Sequence, residues 1–128
     1  SIYFEDPAGN IVEFICRLSD STMSDVPFSA SSLQKMSEMS LAIPNKLEAF
    51  SVLHDVGIFK RDDEELSPTG LTFIGEREDA TYLLLVNEGR TWYFSSKQAV
   101  SYPLSITLTN GITVSIDDDR QLLCTTKN

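Results

Sequence analysis

Tyr3-Phe4-Glu5-Asp6-Pro7-Ala8-Gly9-Asn10-Ile11-Val12-Glu13-Phe14 is the stretch whose reading decides the fold. Two extended runs, Ile2 to Glu5 and Ile11 to Arg17, flank the turn Asp6 to Asn10. Pro7 presets φ, Gly9 and Asn10 tolerate positive φ, and the Asp6 carboxylate is placed to bond the backbone just ahead of it. Alternation along the second run puts Ile11, Glu13 and Ile15 on one face and Val12, Phe14 and Cys16 on the other. Glu13 therefore lies on a mainly apolar sheet face, an odd place for a free carboxylate.

Working outward, residues 18–34 are Ser-rich and aperiodic and read as a linker. From Met36 the pattern sharpens: Met39, Leu41 and Ile43 alternate with Glu38, Ser40 and Ala42, a strand that Pro44 ends. Asn45 is an expected N-cap with Glu48 in capping-box spacing. The helix then runs to about Val56, its apolar arc formed by Leu47, Ala49, Phe50, Val52, Leu53 and Val56, and Gly57 stops it. Leu71 to Gly75 and Thr81 to Val86 read as strands around the charged turn Glu76 to Asp79. Residues 88–102 read equally as strand or packed loop.

Leu104, Ile106 and Leu108 alternate with polar residues, as does the run Ile112 to Ile116. A two-residue Asn110-Gly111 turn would set apolar against polar residues. A three-residue bulged loop, Thr109 to Gly111, instead sets Leu108 against Ile112 and Ile106 against Val114, and is expected. A last strand, Gln121 to Thr126, follows the turn Asp117 to Arg120.

At 128 residues and 41% hydrophobic, the chain is long enough for one ordinary core. Its net charge of −9 argues against nucleic acid and anionic membrane surfaces as partners. No run is long and apolar enough for a membrane span, and no signal peptide is visible, so a cytoplasmic location is expected. Cys16 and Cys124 are expected as buried thiols of a reducing compartment, with no structural zinc site. The opening on Ser1 reads as a cut or processed piece.

The Tyr3–Phe14 string resembles the terminal signature of the vicinal oxygen chelate superfamily: aromatic, x, Asp-Pro-x-Gly-Asn, two apolar residues, Glu, apolar. That group includes glyoxalase I, extradiol dioxygenases and bleomycin-resistance proteins. Glu38 to Asn45, the helix and Val56-Gly57 are similar to the family's opening strand and helix. The resemblance implies an α+β fold of βαβββ modules whose curved mixed sheet forms a cup. It also implies a C-terminal fragment of a two-domain protein. Residues 1–17 would close an upstream domain, 18–34 link, and 35–128 form a second module. The parent would be a metal-dependent lyase or dioxygenase acting on a small molecule, and the fragment itself inactive. A non-catalytic binding module or a structural dimerisation domain are the alternatives.

In the family a divalent metal sits in the cup and stabilises an oxyanion on the substrate. Carried across, Glu13 takes the closing-Glu position. Glu38 takes the first-strand position, where His is usual. These are the two candidate metal ligands, for Fe, Mn, Zn or Ni in the parent, while the fragment alone is expected to hold none. Asp117 to Cys124 resembles a decayed copy of the signature lacking its Pro and Gly, with Cys124 where Glu belongs. His54 is expected as a packed helix residue, Arg90-Thr91-Trp92 as a structural turn, and Asp62 to Glu65 as a solvated loop. Because a lone module leaves an edge and a concave face open, a homodimer or pairing with the upstream domain is expected.

Overall fold

The computed structural model describes residues 1–19, 23–62, 65–79 and 81–127. Among them, β1 (Ile2–Glu5) and β2 (Ile11–Phe14) pair antiparallel, with Tyr3 opposite Glu13 and Phe4 opposite Val12. The intervening turn is closed from both sides. The Asp6 N–H donates to the Asn10 carbonyl (3.0 Å), and the Gly9 N–H to the Asp6 carbonyl (2.9 Å). The Asp6 carboxylate accepts the N–H groups of Ala8 (2.9 Å) and Asn10 (2.8 Å). Gly9 sits at φ +83°, a left-handed conformation that glycine adopts without a Cβ clash. β2 ends at Phe14 rather than Arg17, and Cys16 is exposed, which corrects the expectation of a buried thiol there.

A short 3-10 turn, Ala30–Ser32, interrupts the Ser-rich stretch. Beyond it, β3 (Glu38–Ile43), α1 (Lys46–Asp55), β4 (Thr72–Ile74) and β5 (Tyr82–Asn87) build a mixed sheet of order β3-β5-β4. β5 lies at its centre, parallel to β3 and antiparallel to β4. Its run Leu83-Leu84-Leu85-Val86 is buried throughout, as a strand covered on both faces requires. Leu41, Ile43, Leu83 and Leu85 join the main core with Ala49 and Leu53 of α1. Ala42, Val86 and Ala99 form a second cluster with Leu71 and Trp92 on the other face.

The Asn45 side chain caps α1 by accepting the Glu48 N–H (3.2 Å). At the other end, Gly57 N–H donates to the His54 carbonyl and Ile58 N–H to the Leu53 carbonyl, both at 3.0 Å. That pair of bonds is a Schellman stop. The helix face differs from the expected arc at its start: Leu47 is exposed and Lys46 buried. The Lys46 ammonium donates to the carbonyls of Ser67 (2.7 Å) and Gly70 (2.6 Å), which tie the helix N-terminus to the next loop. A pattern of apolar residues carries no trace of those two loop carbonyls.

The third sheet is the meander β6 (Leu104–Thr107), β7 (Thr113–Ile116) and β8 (Leu122–Thr125). Leu108 N–H donates to Ile112 O (2.8 Å), Gly111 N–H to Leu108 O (3.0 Å), and Ile106 faces Val114, the register of the bulged loop. Val114, Ile116 and Leu122 pack into the main core. The content is α+β, with the strands divided among three sheets. Residues 88–103 form a loop folded back on itself between the second and third, through Ala99 N–H to Arg90 O (2.7 Å) and Trp92 N–H to Lys97 O (2.9 Å).

Candidate functional site

The inner face of the first hairpin carries Tyr3, Glu5, Ile11 and Glu13, because residues paired across two antiparallel strands share a face. Tyr3 stands directly opposite Glu13. Its phenol is pushed up to about 12, first by hydrogen bonding to the Glu13 carboxylate, then by burial and by the negative charges of Glu13 and Glu38. A phenolate there would meet two carboxylates at close range, so the neutral, donating form is held.

Glu38 enters from the start of β3, beside Tyr82 of β5. Arg17, just past β2, makes an ion pair with it; both side chains are largely buried. Burial nevertheless raises the Glu38 carboxyl above its ordinary value, and the Glu13 charge adds to this, against the opposing pull of Arg17 and Arg61. The Arg61 guanidinium is fixed by stacking on Phe73 (4.1 Å) and Tyr82 (5.2 Å).

The folded-back loop forms the remaining wall. Phe94 places its ring 5.0 Å from that of Tyr3, and Lys97 donates to the Gly9 carbonyl (2.7 Å) and pairs with Glu5 (3.0 Å). Phe94 is 87% exposed and has a backbone φ of +56°, a strained conformation for an aromatic residue. Ser1, Tyr3 and Phe94 line a shallow, open part of the surface beside the hairpin.

Of the two carboxylates singled out in the sequence, Glu13 thus adds its charge to the surroundings of Glu38, although the two lie in different sheets. Glu13 is half-buried, and its face carries Tyr3 and Glu5 as well as Ile11. Cys124 lies apart on β8 against the main core, its thiol pushed up by burial. His54 is exposed on α1, ringed by Phe50 (6.0 Å) and Phe59 (4.9 Å). Asp62 is not merely solvated: Arg61 (3.0 Å) and Arg77 pair with it and hold its carboxyl below the usual range. Residues 63 and 64 of that acidic run lie outside the described residues. In the Arg90-Thr91-Trp92 segment, the Arg90 guanidinium lies 4.8 Å from the Tyr93 ring and Trp92 packs on the second cluster.

Sequence reasoning did not reach Tyr3, Arg17 or Phe94. Tyr3 was within reach, since a turn that pairs Asp6 with Asn10 sets residue 3 opposite residue 13. Arg17 and Phe94 depend on contacts with no local signal.

As metal donors, the carboxylates of Glu13 and Glu38 are chemically suitable. Among the described residues, however, no three or more His, Cys, Asp and Glu side chains converge as a metal site, and Arg17 engages Glu38. Among the described residues, then, no full metal shell is assembled around these two carboxylates. What the arrangement does supply is a phenol held protonated, a carboxyl of raised pKa and an exposed aromatic wall, which together suit a polar aromatic guest.

No helix among the described residues is long and apolar enough to cross a membrane. No curated protein matches the chain. The family model of toxoflavin-degrading enzyme, a family of vicinal oxygen chelate-like fold, matches residues 36–90, which run from the approach to β3 through α1, β4 and β5.

Proposed function

We propose that this chain is part of a glyoxalase-like protein that acts on a small molecule, with the substrate seated between the inner hairpin face and the Phe94 loop. The observation that carries this reading is the placement of Tyr3 directly opposite Glu13 on the hairpin face, with Glu38 of β3 tied by an ion pair to Arg17 just past β2. The family match supports it, because Glu38 lies inside the matched segment. The parent, on this reading, is a metal-dependent lyase or dioxygenase whose βαβββ modules combine into a cup. Glu13 and Glu38 would hold a divalent Fe, Mn, Zn or Ni ion, with further donors from a paired module. When bound, such an ion supplies Lewis-acid stabilisation of an oxyanion. Metal analysis of the full-length protein against Glu13→Ala is the test. Metal content lost in the variant is expected; equal content in both ends the metal assignment.

A second reading, a non-catalytic binding module, is favoured by Arg17, which already neutralises Glu38. The matched family's name makes toxoflavin the first probe. Thermal shift and tyrosine fluorescence with toxoflavin, without metal, address this reading. Binding that survives chelation and is lost in Tyr3→Ala supports it, and no binding under any metal condition rules it out.

A further inference from the structure

The folded-back loop is a stem with a tip. Its stem is closed by Gly89 N–H to Ala99 O and Ala99 N–H to Arg90 O, both at 2.7 Å, by the bridge of Thr91 with Gln98, and by Trp92 N–H to Lys97 O (2.9 Å). Ala99 and Trp92 root that stem in the second apolar cluster, with Ala42, Val86 and Leu71. Residues 93–96 lie beyond the last of these bonds. Tyr93 and Phe94 are exposed there and belong to neither core cluster, and the Phe94 ring rests against Tyr3 of β1.

Two opposed tendencies act on the tip. The left-handed backbone of Phe94, at φ +56°, is one that a bulky residue keeps only where its surroundings impose it, so release of the tip relieves strain. What opposes release is Lys97, at the junction of stem and tip. Its N–H donates to Ser95 Oγ (3.0 Å), and its ammonium crosses to the hairpin turn, donating to Gly9 O (2.7 Å) and pairing with Glu5 (3.0 Å). Gly9 makes room for that approach: a Cβ there would lie 3.3 Å from the Lys97 nitrogen, tighter than ordinary packing. The Lys97 and Glu5 side chains are 43% and 53% exposed, so water and salt compete with the pair.

We infer that residues 93–96 are a flap that opens and shuts over Tyr3, and that Lys97 is the clasp that holds it shut on the hairpin turn. A strained tip set against a solvent-accessible clasp gives two states close in free energy. The stem stays rooted in the core, so the movement turns on the backbone at its last bond, between Trp92 and Lys97. Shut, the flap lays Phe94 against Tyr3 and completes the aromatic wall of the site. Open, it uncovers Tyr3 and the hairpin face behind it to an entering molecule. What the flap admits rests on the site proposed above; the clasp rests on Lys97, Gly9 and Glu5 alone.

Chymotrypsin tests this on the full chain, through the rate of cutting after Phe94 relative to the cut after Phe28 in the Ser-rich stretch. Where opening is fast, cleavage tracks the open population. The ratio should rise about threefold or more in Glu5→Lys, which sets one ammonium against another. Lys97→Glu should raise it too, and the two changes together should bring it back down, since the pair returns with its signs exchanged. Salt at about 1 M, where screening acts beyond ~3 Å, should raise the ratio in wild type and lower it in Glu5→Lys. An equal ratio in wild type and Glu5→Lys, or no recovery in the double variant, overturns the clasp. Toxoflavin that shifts the melting temperature without slowing the Phe94 cut overturns the flap's cover of the site. Toxoflavin that does not bind refutes the binding reading instead, and the variants still decide the clasp.

Discussion

Replacing Glu13 by Gln should move the titration of a different residue, Tyr3. Its phenol is raised from 10.0 to about 12, and hydrogen bonding to Glu13 leads the causes. Glutamine keeps the shape and an acceptor but removes the charge, so most of that displacement should disappear and Tyr3 should titrate nearer its ordinary value. Taken in full, two units correspond to ~2–3 kcal/mol; for a half-buried surface pair, solvent screening reduces this to ~1 kcal/mol. A phenol raised on folding stabilises fully below pH 10 and loses that contribution as pH rises through about 12. Tyrosinate absorbance of wild type minus Tyr3→Phe isolates Tyr3 from the other three tyrosines, and the same difference in the Glu13→Gln background reads the shift. Glu38→Gln should lower the value less, since its charge ranks behind the Glu13 bond and burial. Titration of Tyr3 at the ordinary value in wild type, or an unchanged value in Glu13→Gln, would refute the electrostatic picture of the site.

Glu38 gives a second pH signature: its carboxyl is raised, so the associated stability is present at low pH and declines as pH rises through the raised value. Melting temperatures across the carboxylate range should show that decline in wild type and not in Glu38→Gln. Leu53→Ala, at a fully buried helix position, should cost ~2–5 kcal/mol in urea unfolding. Lys46→Met should cost ~1–3 kcal/mol for each loop carbonyl left without its donor, and proteolysis should then cut sooner near Ser67 to Gly70. Gly9→Ala should cost ~1–2 kcal/mol in the same unfolding assay, because the turn holds φ at +83°.

The local pieces were legible where chemistry and period agree. Asp6-Pro7-Ala8-Gly9-Asn10 specifies its own turn, Asn45 and Gly57 bracket the helix, and the alternation around Asn110-Gly111 selects the bulged loop over a two-residue turn, which would set apolar against polar residues. The helix face departs from the expected arc at Leu47, where the two loop carbonyls that hold the Lys46 ammonium outweigh the apolar period. Glu13 stood out by its incongruous face, whereas Glu38 was singled out through the resemblance to the vicinal oxygen chelate superfamily, at the first-strand position where His is usual.

From the chain alone, then, came the turns, the caps, the register of the Asn110-Gly111 hairpin and the incongruous Glu13, since all of these depend on residues within a few positions of one another. Tertiary structure decided that Glu13 and Glu38 share one electrostatic environment, that Arg17 occupies one of them, and that Tyr3 and Phe94 complete the wall. It also decided that the strands fall into three sheets, with β5 central in the second. Such features depend on contacts between segments distant in sequence, and hydrophobic periodicity carries no information about which distant segments meet.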